Sequence, residues 1–429
     1  MRRHLERVFE VRPGGRRVTP STVGGRTSPG AVDVDGRPLI DARSDDALGL
    51  ATDPRVRDAA IAASRRFGLR GGDVTSATLD FEARFAHVHR REAAVFFASS
   101  AAMHDSLRQV GLVTSSHPTS GVDLVMTEGL RRADGAIEAL AELDPACASV
   151  SAGLWIDDSL AFGVLGATGA GTSEHLNVDL ADSLLSVDLA ASLAGAGVVV
   201  AGPRAFVDVL RALRFPEAVP PASTAAASTR ALELIAAEPQ RRERLFDIAE
   251  LVHREFAKEH LDTGPSVTHR IPVWVGEWRL AEDAVAACAA DGVLVDALEP
   301  FPDGARLLIS CQATHSDAQV AQLVETVTKV ARRASFPRTA PRESSGLGLA
   351  RPGSFSRQRP AGPHWQPRQP TQVAEPSPAR SSARSQSSIF EALETITWRT
   401  TQKRAGDIAR LLERTEALRR LVRRGPTSR

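Results

Sequence analysis

The chain has 429 residues, and its 53 Lys and Arg residues against 52 Asp and Glu residues give a formal net charge of +1. This balance provides no strong positive field, so a nucleic-acid partner is not expected. Tyrosine is absent, and Lys258, Lys329 and Lys403 are the only lysines, so chemistry that needs a lysine amine has few candidates. The three cysteines have no CxxC spacing, which excludes a disulfide framework and a cysteine-based zinc site.

The sequence contains no recognisable targeting or membrane segment. The stretch MRRHLERVFEVRPGG at its start lacks the apolar run of a secretory signal. No window approaches the ~18 consecutive apolar residues typical of a membrane-spanning helix. We therefore expect a cytoplasmic protein without a membrane span.

The first half of the chain predicts an arm followed by a large α/β domain. Residues 1–32 are rich in Arg, Gly, Pro, Ser and Thr, and are expected to form a flexible N-terminal arm. Residues 33–227 alternate amphipathic helices with short apolar strands, which is typical of a mostly parallel sheet sandwiched between helices. The clearest elements are a helix at 59–67 and strands at 93–98, 122–127, 151–157 and 197–202.

Residues 228–335 predict a smaller α+β domain. A long helical pattern covers 228–256. Strand patterns at 270–276 and 305–311 flank a helix around 281–291. Strands separated by a single helix, after a long helix, favour a small sheet with helices packed against it.

The last part of the chain differs in composition. Residues 336–387 are rich in Pro, Arg and Ser, and are predicted to be a disordered basic linker because they contain little apolar surface to bury. Residues 388–425 predict an amphipathic helix that begins with the capping-box spacing of Ser388 and Glu391. We expect this helix to dock on a partner protein, with an anionic surface as the alternative.

Several segments between residues 33 and 333 carry motifs in a consistent order. They include SDDALGLATDP (44–54), EAAVFFASSAAMH (92–104), LWIDDSLAFGVLGATGAGTSEH (154–175) and FPDGARLLISCQATHS (301–316). In this order they resemble the α-oxoamine synthase family, whose members include 8-amino-7-oxononanoate synthase, 2-amino-3-ketobutyrate ligase and serine palmitoyltransferase. The resemblance implies fold type I of the pyridoxal-phosphate (PLP) enzymes, the aminotransferase class I/II fold, and a dimer with its site at the subunit interface.

The family's chemistry requires a lysine that forms a Schiff base with PLP and an aspartate that keeps the pyridine nitrogen protonated. The resemblance puts this aspartate at Asp157, where the chain retains it. Ser99 and Ser100 match the family's phosphate-binding segment. These three residues are therefore the predicted cofactor-binding residues, and they are interpreted as vestigial.

The lysine of the family falls at Ala191, and no lysine occurs before Lys258. Arginine cannot take its place, because a guanidinium group stays protonated and is a poor nucleophile. No catalytic residue is therefore predicted.

Other positions of the family's site are also changed. The threonine of the phosphate cradle is Asp188, and the histidine that stacks on the ring is Arg131 or Arg132. The arginine that binds the substrate carboxylate falls at Leu308, so no substrate-binding residue is predicted. A carboxylate at 188 would repel a phosphate group by roughly 1–4 kcal/mol. The set of changes predicts a degenerate member of the family.

The leading hypothesis is a non-catalytic subunit or scaffold that has lost PLP chemistry. It predicts no cofactor or only a vestigial PLP site, no metal, and a homodimer or a heterodimer with a catalytic paralogue. One alternative is a functional PLP-dependent acyl-CoA:amino acid C-acyltransferase, alone or completed by a catalytic paralogue. A second alternative is a binding module that acts through its basic C-terminal tail.

Overall fold

A computed structural model gives the fold of residues 23–301 and 304–338. The strands described there are β1 (Val23–Ser28), β2 (Ala31–Val34), β3 (Arg37–Asp41), β4 (Ala93–Phe97), β5 (Thr114–Ser115), β6 (Leu124–Glu128), β7 (Gly153–Asp157), β8 (Leu184–Asp188), β9 (Val198–Gly202), β10 (Arg270–Gly276), β11 (Val293–Leu294), β12 (Asp296–Phe301) and β13 (Gly304–Ser310). The helices are α1 (Pro54–Phe67), α2 (Ser76–Val88), α3 (Ser100–Val110), α4 (Leu140–Ser149), α5 (Thr172–Leu176), α6 (Leu189–Ser192), α7 (Arg204–Leu213), α8 (Ala222–Ala237), α9 (Gln240–Lys258), α10 (Trp278–Ala290) and α11 (Asp317–Arg333). Together these elements form an α/β fold.

The largest sheet has six strands in the order β4-β9-β8-β7-β6-β5. Strands β5 to β8 pair in parallel, and β9 lies antiparallel between β8 and β4. Every residue of β4 and β9 is buried, as expected for strands covered on both faces. The predicted α/β class with a mostly parallel central sheet is confirmed.

Both faces of this sheet carry apolar cores. On β4, Val95 and Phe97 pack into the cluster that includes residues of α3 and α7. Ala94 and Phe96, which alternate with them, pack into the larger cluster with residues of α2, α8 and α9. Alternating side chains point to opposite faces of a strand, so β4 is covered by helices on both faces.

The parallel strands bring three acidic residues to one edge of the sheet. β6, β7 and β8 end at Glu128, Asp157 and Asp188. Glu128 is in register with Asp157, and Asp157 is in register with Ser186. The carboxyl ends of parallel strands are the usual place for ligand sites in open α/β sheets.

The predicted long helix at 228–256 is two helices, α8 and α9. α8 ends at Ala237 and α9 begins at Gln240, with Pro239 between them. Proline has no N–H to donate and its ring clashes with the preceding turn, so it starts the second helix rather than continuing the first.

The smaller domain contains the antiparallel sheet β10-β13-β12, packed against α10. A second small sheet joins β1, β2 and β3 from the start of the described chain to β11, with Ile40 in register with Val293. The expected arm therefore already contains strand β1, and the N-terminal strands lie with the small domain. Asp35 and Gly36 make the hairpin of β2 and β3 possible, since both adopt positive φ angles in the tight turn between the two strands.

The remaining predictions concern the two ends of the chain. Beyond Arg338, the predicted linker 336–387 and helix 388–425 lie outside the described residues, as do residues 1–22 of the predicted arm. Phe336, the first residue of the predicted linker, is buried in the core, so the compact part of the chain extends slightly further than expected. None of the helices in the described ranges combines the length and apolar character needed to cross a membrane.

Candidate functional site

A cavity of about 360 Å³ opens at the carboxyl ends of β6, β7 and β8. Glu128, Asp157 and Asp188 lie in its wall, one from each strand. The wall also contains Ser100 of α3 and Arg132 from the loop after β6. In the described part of the chain, no cluster of three or more His, Cys, Asp or Glu side chains is arranged to hold a metal ion.

Asp157 is held at the end of β7 by Ser159. The backbone N–H of Ser159 donates to Asp157 Oδ1 at 3.0 Å, and the Ser159 hydroxyl donates to the same oxygen. The hydroxyl oxygen also accepts a hydrogen bond of 2.8 Å from the backbone N–H of Asp188. Ser159 therefore ties the ends of β7 and β8 together and fixes the orientation of the Asp157 carboxylate.

At the end of β8, Asp188 caps helix α6. Its side chain accepts a hydrogen bond of 2.9 Å from the backbone N–H of Ala190. Ala191 follows within α6, is buried, and offers only a methyl group at the position that the resemblance assigns to lysine. The two lysines among the described residues, Lys258 and Lys329, pair with Glu255 and Asp291 on the small-domain side. Neither lines the cavity.

The two predicted phosphate-binding serines have different places. Ser99 caps helix α3, its hydroxyl accepting a hydrogen bond of 3.1 Å from the backbone N–H of Ala102. Ser100 begins α3 and lines the cavity, whereas Ser99 does not. Free backbone N–H groups at the start of a helix favour anions, so this end of α3 is the part of the wall that suits a phosphate group.

Of the two residues predicted for the ring-stacking position, Arg132 lies in the cavity wall and Arg131 does not. Arg131 turns to Asp134, with 2.6 Å between Nη2 and Oδ2. Arg132 lines the cavity, and its backbone N–H donates to Glu128 at 2.7 Å.

Leu308 lies in β13, buried and outside the cavity wall. An arginine that sequence reasoning did not single out, Arg270, begins the adjacent strand β10. Its Nη1 donates to Asp45, which also contacts Arg132. No motif marks Arg270, because its position depends on the register between β10 and β13.

Asp158, next to Asp157 in sequence, points away from the cavity. It is 1% exposed and accepts hydrogen bonds from the hydroxyl and the backbone N–H of Thr172, the latter at 2.9 Å. Burial raises the pKa of Asp158 to about 6, and the Thr172 donors only partly oppose this shift. The two adjacent carboxyls therefore have separate roles, one in the cavity wall and one in the core.

No protein-family model matches the chain. An 8-amino-7-oxononanoate synthase from Anaeromyxobacter dehalogenans is 32% identical to it over 341 residues, covering 67% of this chain and 85% of that protein. The chain belongs to the α-oxoamine synthase family. A second 8-amino-7-oxononanoate synthase, from Thioalkalivibrio sulfidiphilus, is 29% identical over 362 residues, covering 72% of this chain and 92% of the relative.

Solved structures support the same fold. The serine palmitoyltransferase of Sphingomonas wittichii superposes with a TM-score of 0.66 at 18% identity, covering 78% of this chain and 97% of that chain. The 8-amino-7-oxononanoate synthase of Francisella tularensis superposes with a TM-score of 0.60 at 19% identity, covering 70% and 99%. The α-oxoamine synthase fold therefore extends over most of the described chain.

The prediction of no cofactor, or only a vestigial PLP site, is wrong. The relatives are PLP enzymes of this family, and a neighbouring SPT structure holds PLP as an internal aldimine. A lysine-to-alanine variant of the S. paucimobilis serine palmitoyltransferase contains a PLP–myriocin aldimine, with a TM-score of 0.65 to this chain at 18% identity and 73% and 93% coverage. These findings point to PLP as the cofactor of the family.

The residues around the cavity fit PLP as a group held without a covalent bond. Asp157 is fixed in the wall with the negative charge that a protonated pyridine nitrogen needs. The start of α3, with Ser100, offers N–H groups for the phosphate. The charge of Asp188 is partly satisfied by its cap on α6, which reduces but does not remove its repulsion of a phosphate.

Proposed function

We propose that this α-oxoamine synthase family member is a PLP-holding subunit that has lost the family's own covalent catalysis and acts as a non-catalytic subunit or scaffold. The observation that carries the proposal is Ala191, which lies in helix α6 directly after the cavity wall. Asp157 is retained in the same wall. A site with the Asp157 carboxylate but without a lysine amine at position 191 favours binding of the PLP ring without a covalent bond to it.

The roles of the individual residues follow from their contacts. When bound, PLP supplies an electron-withdrawing pyridinium ring. The Asp157 carboxylate would hold the proton on the ring nitrogen, since an adjacent negative charge favours the protonated form. Ser159 keeps that carboxylate oriented through two hydrogen bonds. Ser100 and the start of α3 would bind the phosphate.

The missing step is nucleophilic attachment and subsequent proton transfer by a lysine amine. Arg132 is a basic side chain in the cavity wall, but its guanidinium group keeps its proton and remains a cation. Arg132 can therefore bind anions but cannot serve as the base. A subunit with this wall depends on another chain for catalysis.

We place the subunit in a dimer, with a second copy or with a catalytic paralogue. Leu69, Val74 and Phe215 are exposed apolar side chains on two neighbouring segments. A hydrogen bond of 3.0 Å from Gly72 N–H to the Val219 carbonyl holds these segments together. Exposed apolar residues grouped in this way favour a protein interface.

The proposal is tested by equilibrium dialysis of the purified protein against PLP, followed by borohydride reduction and intact-mass measurement. We expect PLP to be retained without any reduced covalent adduct, because reduction traps only PLP attached to an amine. A stoichiometric adduct in the unmodified protein would contradict the proposal. Peptide mapping identifies any weak labelling of Lys258 or Lys329, which lie outside the cavity.

A second candidate function is acyl transfer from an acyl-CoA to an amino acid, completed by a lysine of a catalytic paralogue. The retained cavity with Asp157 in its wall favours it over a site filled by side chains. Co-expression with a paralogue separates the two functions. If Asp157→Asn in this chain abolishes turnover of glycine or serine with an acyl-CoA, the result supports the acyl-transfer function. If turnover is the same in Asp157→Asn, the result supports the scaffold function.

A further inference from the structure

Two arginines share one carboxylate beside the cavity. Arg270 Nη1 donates to Asp45 Oδ1, and Arg132 Nη1 donates to Asp45 Oδ2 at 3.4 Å. Arg132 lines the cavity, so the head group of Arg270 lies a single carboxylate away from the cavity wall. Asp45 therefore bridges Arg132 and Arg270.

One donor of the Arg270 guanidinium group, its Nε, makes no hydrogen bond. Its side chain is 2% exposed, and the buried Nε has no hydrogen-bond partner. Ser310 is directly opposite Arg270 in the β10–β13 register, and its buried hydroxyl also has no partner. Buried polar groups are nearly always paired, so the unpaired Arg270 Nε and Ser310 hydroxyl would each gain a hydrogen bond from an added acceptor.

The position of Arg270 relates it to a residue that this chain lacks. Leu308 is two residues from Ser310 on β13 and is opposite Pro272, which is two residues from Arg270 on β10. Residues two apart along a strand point to the same face, so Arg270 and Leu308 share a face of the sheet. Leu308 is where the family resemblance puts an arginine, and the guanidinium group comes instead from the neighbouring strand.

We propose that Arg270, together with Arg132, binds the carboxylate of a small ligand in the cavity and replaces the arginine absent at Leu308. The inference rests on the proposed function, because it takes the cavity at the ends of β6 to β8 as the ligand site. The class of ligand is a compound with a free carboxylate, and Arg270 is a specificity-determining residue for it.

Asp45 acts as an internal substitute for that carboxylate. It lies in the loop after β3, and its side chain is 31% exposed, whereas that of Arg270 is 2% exposed. A ligand carboxylate that displaces Asp45 leaves Arg270 paired with one negative charge, so no buried cation is stranded during the exchange. The guanidinium fork also matches a carboxylate with two parallel hydrogen bonds, which Asp45 does not use fully.

The test is equilibrium dialysis of labelled glycine against the full-length protein, without PLP and with PLP, with glycinamide and acetate as competitors. We expect glycine to bind and glycinamide, which lacks the carboxylate, to compete at least tenfold less well. Acetate identifies the source of recognition: competition equal to that of glycine means that the carboxylate alone is recognised, and weaker competition means that the amine contributes. Equal competition by glycinamide, or no glycine binding, overturns the proposal.

Variants assign this binding to Arg270. Arg270→Leu should weaken glycine binding at least tenfold, and adding Leu308→Arg to it should restore most of the affinity. Arg43→Leu is the matched control, since Arg43 lies in the same loop and pairs with Asp41 at 3.4 Å. It should change the affinity less than twofold. Unchanged glycine affinity in folded Arg270→Leu, checked by circular dichroism, overturns the proposal.

A second variant guards against loss of folding. Asp45→Asn removes the charge that competes for both arginines, so glycine should bind several-fold more tightly. Weaker or unchanged binding in Asp45→Asn contradicts the exchange of carboxylates. Retention of PLP is measured in the same samples, so failure of the proposed function and failure of this inference are distinguished.

Discussion

The ends of β7 and β8 form neighbouring parts of one cavity wall, but their side chains differ in what they can do there. At the end of β7, Asp157 is retained and oriented by Ser159. At the end of β8, Asp188 caps α6, and Ala191 has only a methyl group at the position that the resemblance assigns to the family's lysine. On the proposed function, this site has kept the binding of PLP and lost its covalent attachment, so the two roles are separable.

The most direct test of the difference between the two strand ends is to introduce a lysine amine at position 191. Ala191→Lys should convert a protein without a reducible PLP adduct into one with a stoichiometric adduct after borohydride treatment. The reason is that position 191 lies in the short helix α6, which is capped by Asp188, a residue of the cavity wall. Intact-mass measurement and peptide mapping check the result.

The matched control for this gain is Ala190→Lys, one position earlier, where the side chain is exposed. It should give no stoichiometric adduct. If both variants label equally, the β8 end of the wall does not direct an amine to PLP, and the comparison with β7 fails.

The next largest effect is expected at the retained end. Asp157→Asn keeps the shape of the side chain but removes the charge that favours the protonated pyridine nitrogen. A hydrogen bond to a charged group is worth about 1.5–3 kcal/mol, so PLP affinity should fall about tenfold to a hundredfold. Dialysis against PLP measures the change, with the exposed Asp73→Asn as control. Equal affinity in both variants would mean that Asp157 does not face the ring.

A smaller effect of opposite sign is expected at the end of β8. Asp188→Asn still caps α6, because asparagine is as good a capping residue as aspartate. It removes a negative charge from the cavity wall, so PLP should bind about three- to tenfold more tightly. A fall in affinity would instead show that Asp188 contributes to binding. Asp188→Ala, which loses both charge and cap, separates the two contributions.

The last prediction concerns stability rather than ligand binding, and it sets Asp158 against its neighbour Asp157. The folded pKa of Asp158 is about 6 against a usual 3.8, so between these pH values the folded state binds more protons than the unfolded state. The free energy of unfolding should therefore fall as pH rises from about 4 to about 6, by at most about 3 kcal/mol. Asp158→Asn should remove this part of the pH dependence.

Urea unfolding of both proteins at several pH values across this window gives the difference directly. The exposed Asp105→Asn on α3 is the control and should leave the curve unchanged. A pH dependence in Asp158→Asn that is parallel to that of the parent protein would contradict the assignment to this carboxyl.

The parts of the fold that sequence predicted are those with continuous apolar runs. AAVFF and VVVAG identify β4 and β9 because both faces of these strands are buried. β8 was not singled out as a strand, since Ser186 interrupts its apolar run and LAASLA continues it in a pattern that suits a helix equally well. The hairpin of β2 and β3 turns at Asp35-Gly36, a dipeptide that favours two-residue hairpin turns, although the first strand of this hairpin begins within the predicted arm.

Residues of the candidate site that belong to a sequence motif could be singled out from the sequence. Residues that reach the site only through the pairing of two strands could not. Asp157 and Ala191 were singled out by motifs along the chain; Asp157 ends β7, and Ala191 lies in α6, the helix that follows β8. Arg270 could not be predicted, because its relation to Leu308 and Ser310 exists only through the register of β10 with β13. The presence of Arg132 rather than Arg131 in the cavity wall likewise depends on the path of the loop after β6.

The sheet that joins β1, β2 and β3 to β11 has a consequence for how the chain folds during synthesis. The side chain of Arg37 donates to the carbonyl of Ala290, a residue 253 positions away. Contacts at such separation form late, because the intervening chain must be made and folded first. The hairpin of β2 and β3 therefore leaves the ribosome with an unpaired edge that waits for β11. We expect this interval to be the time when the nascent protein depends most on chaperones.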